Sequence, residues 1–66
     1  MSADTDALAA HGWQHSKRDG DVHIYIHAER HGEHIRIQGK GWVHYNADGM
    51  PLAHSRYGKT IQEHLG

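Results

Sequence analysis

The chain has 66 residues, nine of them histidine and none cysteine, so it makes one domain that no disulfide can staple. Seven Lys and Arg against eight Asp and Glu give a formal charge of -1 with neutral imidazoles, which excludes the strongly basic balance of a duplex-binding protein. No apolar run approaches the ~20 residues that span a bilayer, and Met1-Ser2-Ala3-Asp4 lacks the basic start of a signal peptide, so the expectation is a soluble, cytoplasmic protein with no membrane partner.

In chain order, residues 4–10 read as a short helix with Asp4 and Asp6 in its first turn, where they complement the dipole. Gly12 ends it as a C-cap. Trp13 to Lys17 forms a first strand, and Asp19-Gly20 is a two-residue hairpin signal. Residues 21–28 are the clearest strand, because Val22-His23-Ile24-Tyr25-Ile26-His27 alternates with period two. Glu29-Arg30-His31-Gly32 turns the chain, His34 to Gln38 is the next strand, Gly39-Lys40-Gly41 turns again, and Trp42 to Tyr45 returns. After the Asp48-Gly49 turn, Pro51 to Ser55 makes an edge strand, where proline is tolerated. Thr60-Ile61-Gln62-Glu63 matches a capping box, and Ile61 and Leu65 share one helix face. With no repeat or linker, residues 1–66 form a single α+β domain. It is a small antiparallel β-meander of three to five strands, with an N-terminal and a C-terminal helix on one face.

Turn lengths imply a register. Pairing residue 28 with 33 sets Ile26 opposite Ile35, Ile24 opposite Ile37 and His27 opposite His34. Continuing through Gly-Lys-Gly sets Arg36 opposite His44 and Gln38 opposite Trp42. One face then holds Val22, Ile24, Ile26, Ile35, Ile37 and Val43, covered by Leu8, Ile61 and Leu65, with Trp13 in the core beside Ile26. The other holds Tyr25, His27, His34, Arg36, Trp42 and His44 as a wet surface. A slip of one residue inverts every side chain, so the assignment is a strict expectation.

That wet surface carries the functional readings. Trp, Tyr and Arg are enriched at binding hot spots, so Tyr25, Arg36, Lys40, Trp42 and His44 are the candidate anchors for a partner protein. The same aromatic rings suit stacking on unpaired bases of single-stranded RNA, with Arg36, Lys40 and imidazoles on phosphates. Directly opposed cross-strand residues have Cβ atoms ~4.5–5.5 Å apart, which suits His27 and His34 to one zinc or copper ion, with His44 or Asn46 nearby. No compact ligand motif supports that metal reading. No Ser-His-Asp order, phosphate loop or paired-carboxylate spacing appears, so the reading leans away from an enzyme. Arg56 and Lys59 read as a solvated edge. The core amounts to about a dozen apolar side chains, thin enough that self-association as a homodimer is expected to add burial.

Leu8-Ala9-Ala10-His11-Gly12-Trp13, then Gly20-Asp21-Val22-His23-Ile24-Tyr25-Ile26-His27-Ala28-Glu29-Arg30-His31-Gly32 and Ile35-Arg36-Ile37, resemble the HicA family of small mRNA-interferase toxins. The family has a fold like the double-stranded-RNA-binding domain. Its helix ends in Gly-Trp and its strand runs from Gly-Ser-His to His-Pro. The likeness covers roughly residues 8–37. It implies an α-β-β-β-α layout and an RNA-binding surface. Aligned on Gly20, the family's catalytic histidine falls on Val22, and the proline after the second histidine is Ala28. The resemblance therefore implies weak or lost ribonuclease activity. A chain of this size also suits a regulator or inhibitor of phage, plasmid or toxin–antitoxin type. The function expected is a small binding module that uses its open sheet face.

Overall fold

The computed structural model describes residues 3–39, 41–55 and 58–66. Helix α1 spans Ala3–Ala10, then come β1 (Trp13–Asp19), β2 (Val22–His27), β3 (His34–Gln38), β4 (Gly41–Tyr45), β5 (Pro51–His54) and helix α2 (Ile61–Leu65). The strands lie side by side in sequence order as one five-stranded antiparallel sheet. Both helices cover the same face, where Leu8, Ile61 and Leu65 pack with Trp13, Tyr25, Ile35 and Trp42. The expected α+β meander with a helix at each end is the observed fold.

Local chemistry explains the punctuation. The amide of His11 closes α1 on the carbonyls of Ala7 and Leu8, both at 3.2 Å. Gly12 follows with φ +88°, a left-handed conformation that costs glycine nothing. Asp19 pairs with Val22, and Gly20 takes φ +64°, as a two-residue primed turn with glycine first requires. Thr60 caps α2: its Oγ1 accepts from the Glu63 amide at 3.1 Å, half of the expected capping box. A register shift between His15 and Lys17 marks a bulge in β1.

The register departs from the sequence expectation by one residue at two hairpins. Tyr25, not Ile26, faces Ile35, and Trp42, not Val43, faces Ile37. Two successive turns, Arg30 N–H to the His27 carbonyl and Glu33 N–H to the Arg30 carbonyl, replace the single four-residue turn. Gln38 pairs with Gly41, so Gly41 belongs to β4 rather than to the turn. β2 and β4 are therefore inverted, while Ile35 and Ile37 point inward and His34 and Arg36 outward as expected. Aromatic area decides the outcome. Indole and phenol rings bury ~150–250 Å² each, and Trp13, Tyr25 and Trp42 all lie on the covered face. Trp42 also finds a partner for its Nε1–H there, the Lys59 carbonyl at 3.0 Å. Val22, Ile24, Ile26 and Val43 are left on the uncovered face, and Ile26 lies opposite His34 and across the sheet from Trp13.

Candidate functional site

The inversion redistributes the candidate residues. Tyr25, Trp42 and His44 are buried beneath the helices, with 8%, 3% and 6% exposure, and offer a partner no surface. Arg36 is exposed on the uncovered face, as expected. Lys40 and Arg56 lie outside the described residues.

His27 and His34 occupy opposite faces, because His27 pairs across from Trp13 and His34 from Ile26. They cannot share a metal ion, and His44 joins neither. Among the described residues no group of three or more His, Asp or Glu side chains is disposed to hold a metal ion. His27 is occupied twice: its Nδ1 accepts from the Glu29 amide at 3.1 Å, and its Nε2 donates to the His11 carbonyl at 2.8 Å. That pair of bonds fits one neutral tautomer. The ring also meets the edge of Trp13, with centroids 5.1 Å apart. His27 thus ties the end of α1 to β2, which is a structural task.

On the covered face His44 forms the middle of a hydrogen-bonded chain. Its Nε2 donates to Glu33 Oε1 at 2.8 Å, and its Nδ1 lies 3.0 Å from His64 Nε2. His64 stacks on Trp42 with centroids 4.8 Å apart, and His44 meets Trp13 edge-on at 5.2 Å. Burial holds the His64 imidazole below its ordinary titration range, and the nearby positive groups His44, Lys59 and Arg30 push the same way. Among the described residues no buried side-chain nitrogen or oxygen lacks a hydrogen bond. Sequence reasoning missed this chain. The available signal was that His64 follows Ile61 by three positions and so shares its helix face.

The uncovered face is built by β2 and β4 residues that the sequence reading turns inward, together with His34 and Arg36, which it turns outward. Ile24 and Ile26 of β2, His34 and Arg36 of β3, and Val43 and Tyr45 of β4 stand side by side on it. Ile26 keeps 46% of its surface exposed in the middle of the sheet. His34 stacks on Tyr45 with centroids 4.7 Å apart and planes 17° from parallel, which makes a flat aromatic platform beside Arg36. Lys17 reaches the same face from β1, opposite Ile24. Leu52 and Met50, 56% and 62% exposed, extend the apolar character around β5. Strands β2, β3 and β4 contain no acidic residue, so nothing on them neutralises Arg36.

No protein-family model matches this chain, and no curated protein or solved structure matches it.

Proposed function

We propose that the chain is a non-enzymatic binding and regulatory module that captures a partner protein on the uncovered face of its sheet. One observation carries the reading: on a sheet face that neither helix covers, Ile24 and Ile26 of β2 and Val43 and Tyr45 of β4 flank His34 and Arg36 of β3, with Ile26 46% exposed. Exposed apolar side chains grouped around an aromatic platform and a guanidinium group mark interaction sites on small domains. Tyr45 takes the aromatic anchor role assigned to Tyr25 and Trp42 on sequence grounds, and Arg36 keeps its own, since aromatic and guanidinium groups dominate binding hot spots. Arg36 and Lys17, with no carboxylate on the three central strands, favour a partner that offers an apolar patch bordered by acidic side chains.

The test is capture from lysate by the intact protein and by Ile26→Glu, each with and without ribonuclease. A protein retained after ribonuclease by the parent and lost by Ile26→Glu is the expected result, followed by a purified affinity drop of about 2 kcal/mol or more. Recovery of RNA that nuclease removes, insensitive to Ile26→Glu, overturns the reading in favour of the RNA surface that the HicA resemblance implies.

A further inference from the structure

Apart from the sheet face and the buried chain, two imidazoles meet at the open end of the covered side. His15 Nε2 of β1 and His23 Nδ1 of β2 stand 3.0 Å apart. His15 pairs with Tyr25, and His23 stands two residues before Tyr25 on the same face, so the two histidines lie on a diagonal across the hairpin. The Tyr25 ring stands edge-on to His15 at 5.3 Å and props it in place. His15 is exposed and His23 half-buried, so both nitrogens are reachable from solvent.

We propose that His15 Nε2 and His23 Nδ1 form a two-imidazole binding site for a cupric or nickel ion. The hydrogen bond between the rings already brings the two nitrogens within 3.0 Å, and a metal ion seated beside the line that joins them accepts a lone pair from each. Two neutral rings lose no proton in the exchange. The donor ring moves its hydrogen to its distal nitrogen, and both proximal nitrogens then ligate as neutral donors.

Geometry selects the ion. With metal–nitrogen bonds of ~2.0–2.1 Å, nitrogens 3.0 Å apart subtend about 94° at the metal. That is the cis angle of a tetragonal or octahedral centre and falls short of the tetrahedral angle preferred by zinc. Square-planar and tetragonal nitrogen sites suit copper and nickel, and copper also heads the affinity order for such donors. The surroundings admit a cation. Asp4 and Asp21 border the same depression, while the Arg18 side chain that also borders it is drawn to the Gly20 carbonyl, 2.6 Å from its Nε. Two protein ligands leave the remaining coordination positions to water, so the ion exchanges readily.

The experiment is titration of untagged protein with cupric and with nickel chloride, followed by histidine side-chain NMR. The expected result is one ion per chain, with substoichiometric cupric ion broadening His15 and His23 first, and weaker binding of zinc. His15→Ala and His23→Ala each lower cupric affinity on the order of a hundredfold, because the second imidazole then no longer binds intramolecularly. His34→Ala leaves it unchanged. Equal broadening of all exposed histidines, affinity retained in His15→Ala, or zinc bound more tightly than copper overturns the proposal. The broadening is read on the parent protein, so the outcome does not depend on the variants folding.

Discussion

His44 Nδ1 and His64 Nε2 stand 3.0 Å apart and share a single proton, with Glu33 fixing its direction from the far side of the His44 ring. In the neutral chain His44 donates through Nε2 to Glu33 and accepts through Nδ1 from His64. Protons on both facing nitrogens would set N–H against N–H across this 3.0 Å contact. His64 accordingly resists protonation in the folded state, through burial first and then the positive charge of His44, Lys59 and Arg30. Its folded value is depressed, so the unfolded chain takes up the proton at higher pH than the folded one. Stability is therefore fully present above about pH 6.5, the ordinary imidazole value, and declines as pH falls through it toward the lower folded value. Urea midpoints measured between about pH 8 and pH 5 should fall on the acid side, with a shallower decline in His64→Gln. An equally steep decline in that variant assigns the acid sensitivity to other groups.

The inverted register makes Trp42 and Ile26 opposite cases. Trp42 is 3% exposed, stacked by His64 and bonded through its indole to Lys59. Trp42→Ala should cost about 3–5 kcal/mol, enough to leave so small a domain largely unfolded. Ile26, 46% exposed, should tolerate Glu at about 1 kcal/mol or less. Chemical denaturation of both variants decides between registers, because the sequence-derived alternative requires the reverse order.

Much of this fold is legible in the residue pattern, and the part that is not has one physical source. The period-two runs, Gly12 and the Thr60 cap act as their chemistry dictates, whereas the first hairpin loop is Gly20-Asp21 rather than Asp19-Gly20, because Asp19 pairs with Val22 as the last residue of β1. Direction fails because β2 alternates two plausible sets, Val22-Ile24-Ile26 and His23-Tyr25-His27, and hydropathy favours the first. Tyr25 and Trp42 carry more apolar area than their polar atoms suggest, and His27 and His44 are made compatible with burial by partners distant in sequence, His11 and Glu33. Such partners are invisible to strand-by-strand reading. Arg36 reads correctly as outward because β3, with Ile35 and Ile37 inward, has no competing apolar set.

Gly12 and Gly20 separate backbone strain from crowding. Both have positive φ, +88° and +64°. A Cβ on Gly12 would come within 2.8 Å of His27 Nε2, whereas a Cβ on Gly20 meets nothing within 4 Å. Gly20→Ala should therefore cost about 1 kcal/mol, the conformational part alone. Gly12→Ala should cost clearly more, because it also displaces the His27 ring from the His11 carbonyl. Equal losses in guanidinium denaturation would remove the contact from the account.

The cap of α2 should control access to the buried histidine chain. Five residues are too few to hold a helix unaided, so α2 depends on Ile61, His64 and Leu65 packing and on Thr60. Thr60→Ala removes the acceptor for the Glu63 amide and should cost about 1 kcal/mol. The loss should be local. The Trp42 indole donates to Lys59, the residue just before the cap, so its N–H should exchange with solvent faster once the cap loosens, while β2 and β3 amides keep their protection. Indole exchange that slows or stays unchanged would remove the cap from the account, and exchange that accelerates only in step with every core amide would show that α2 opens together with the sheet rather than ahead of it.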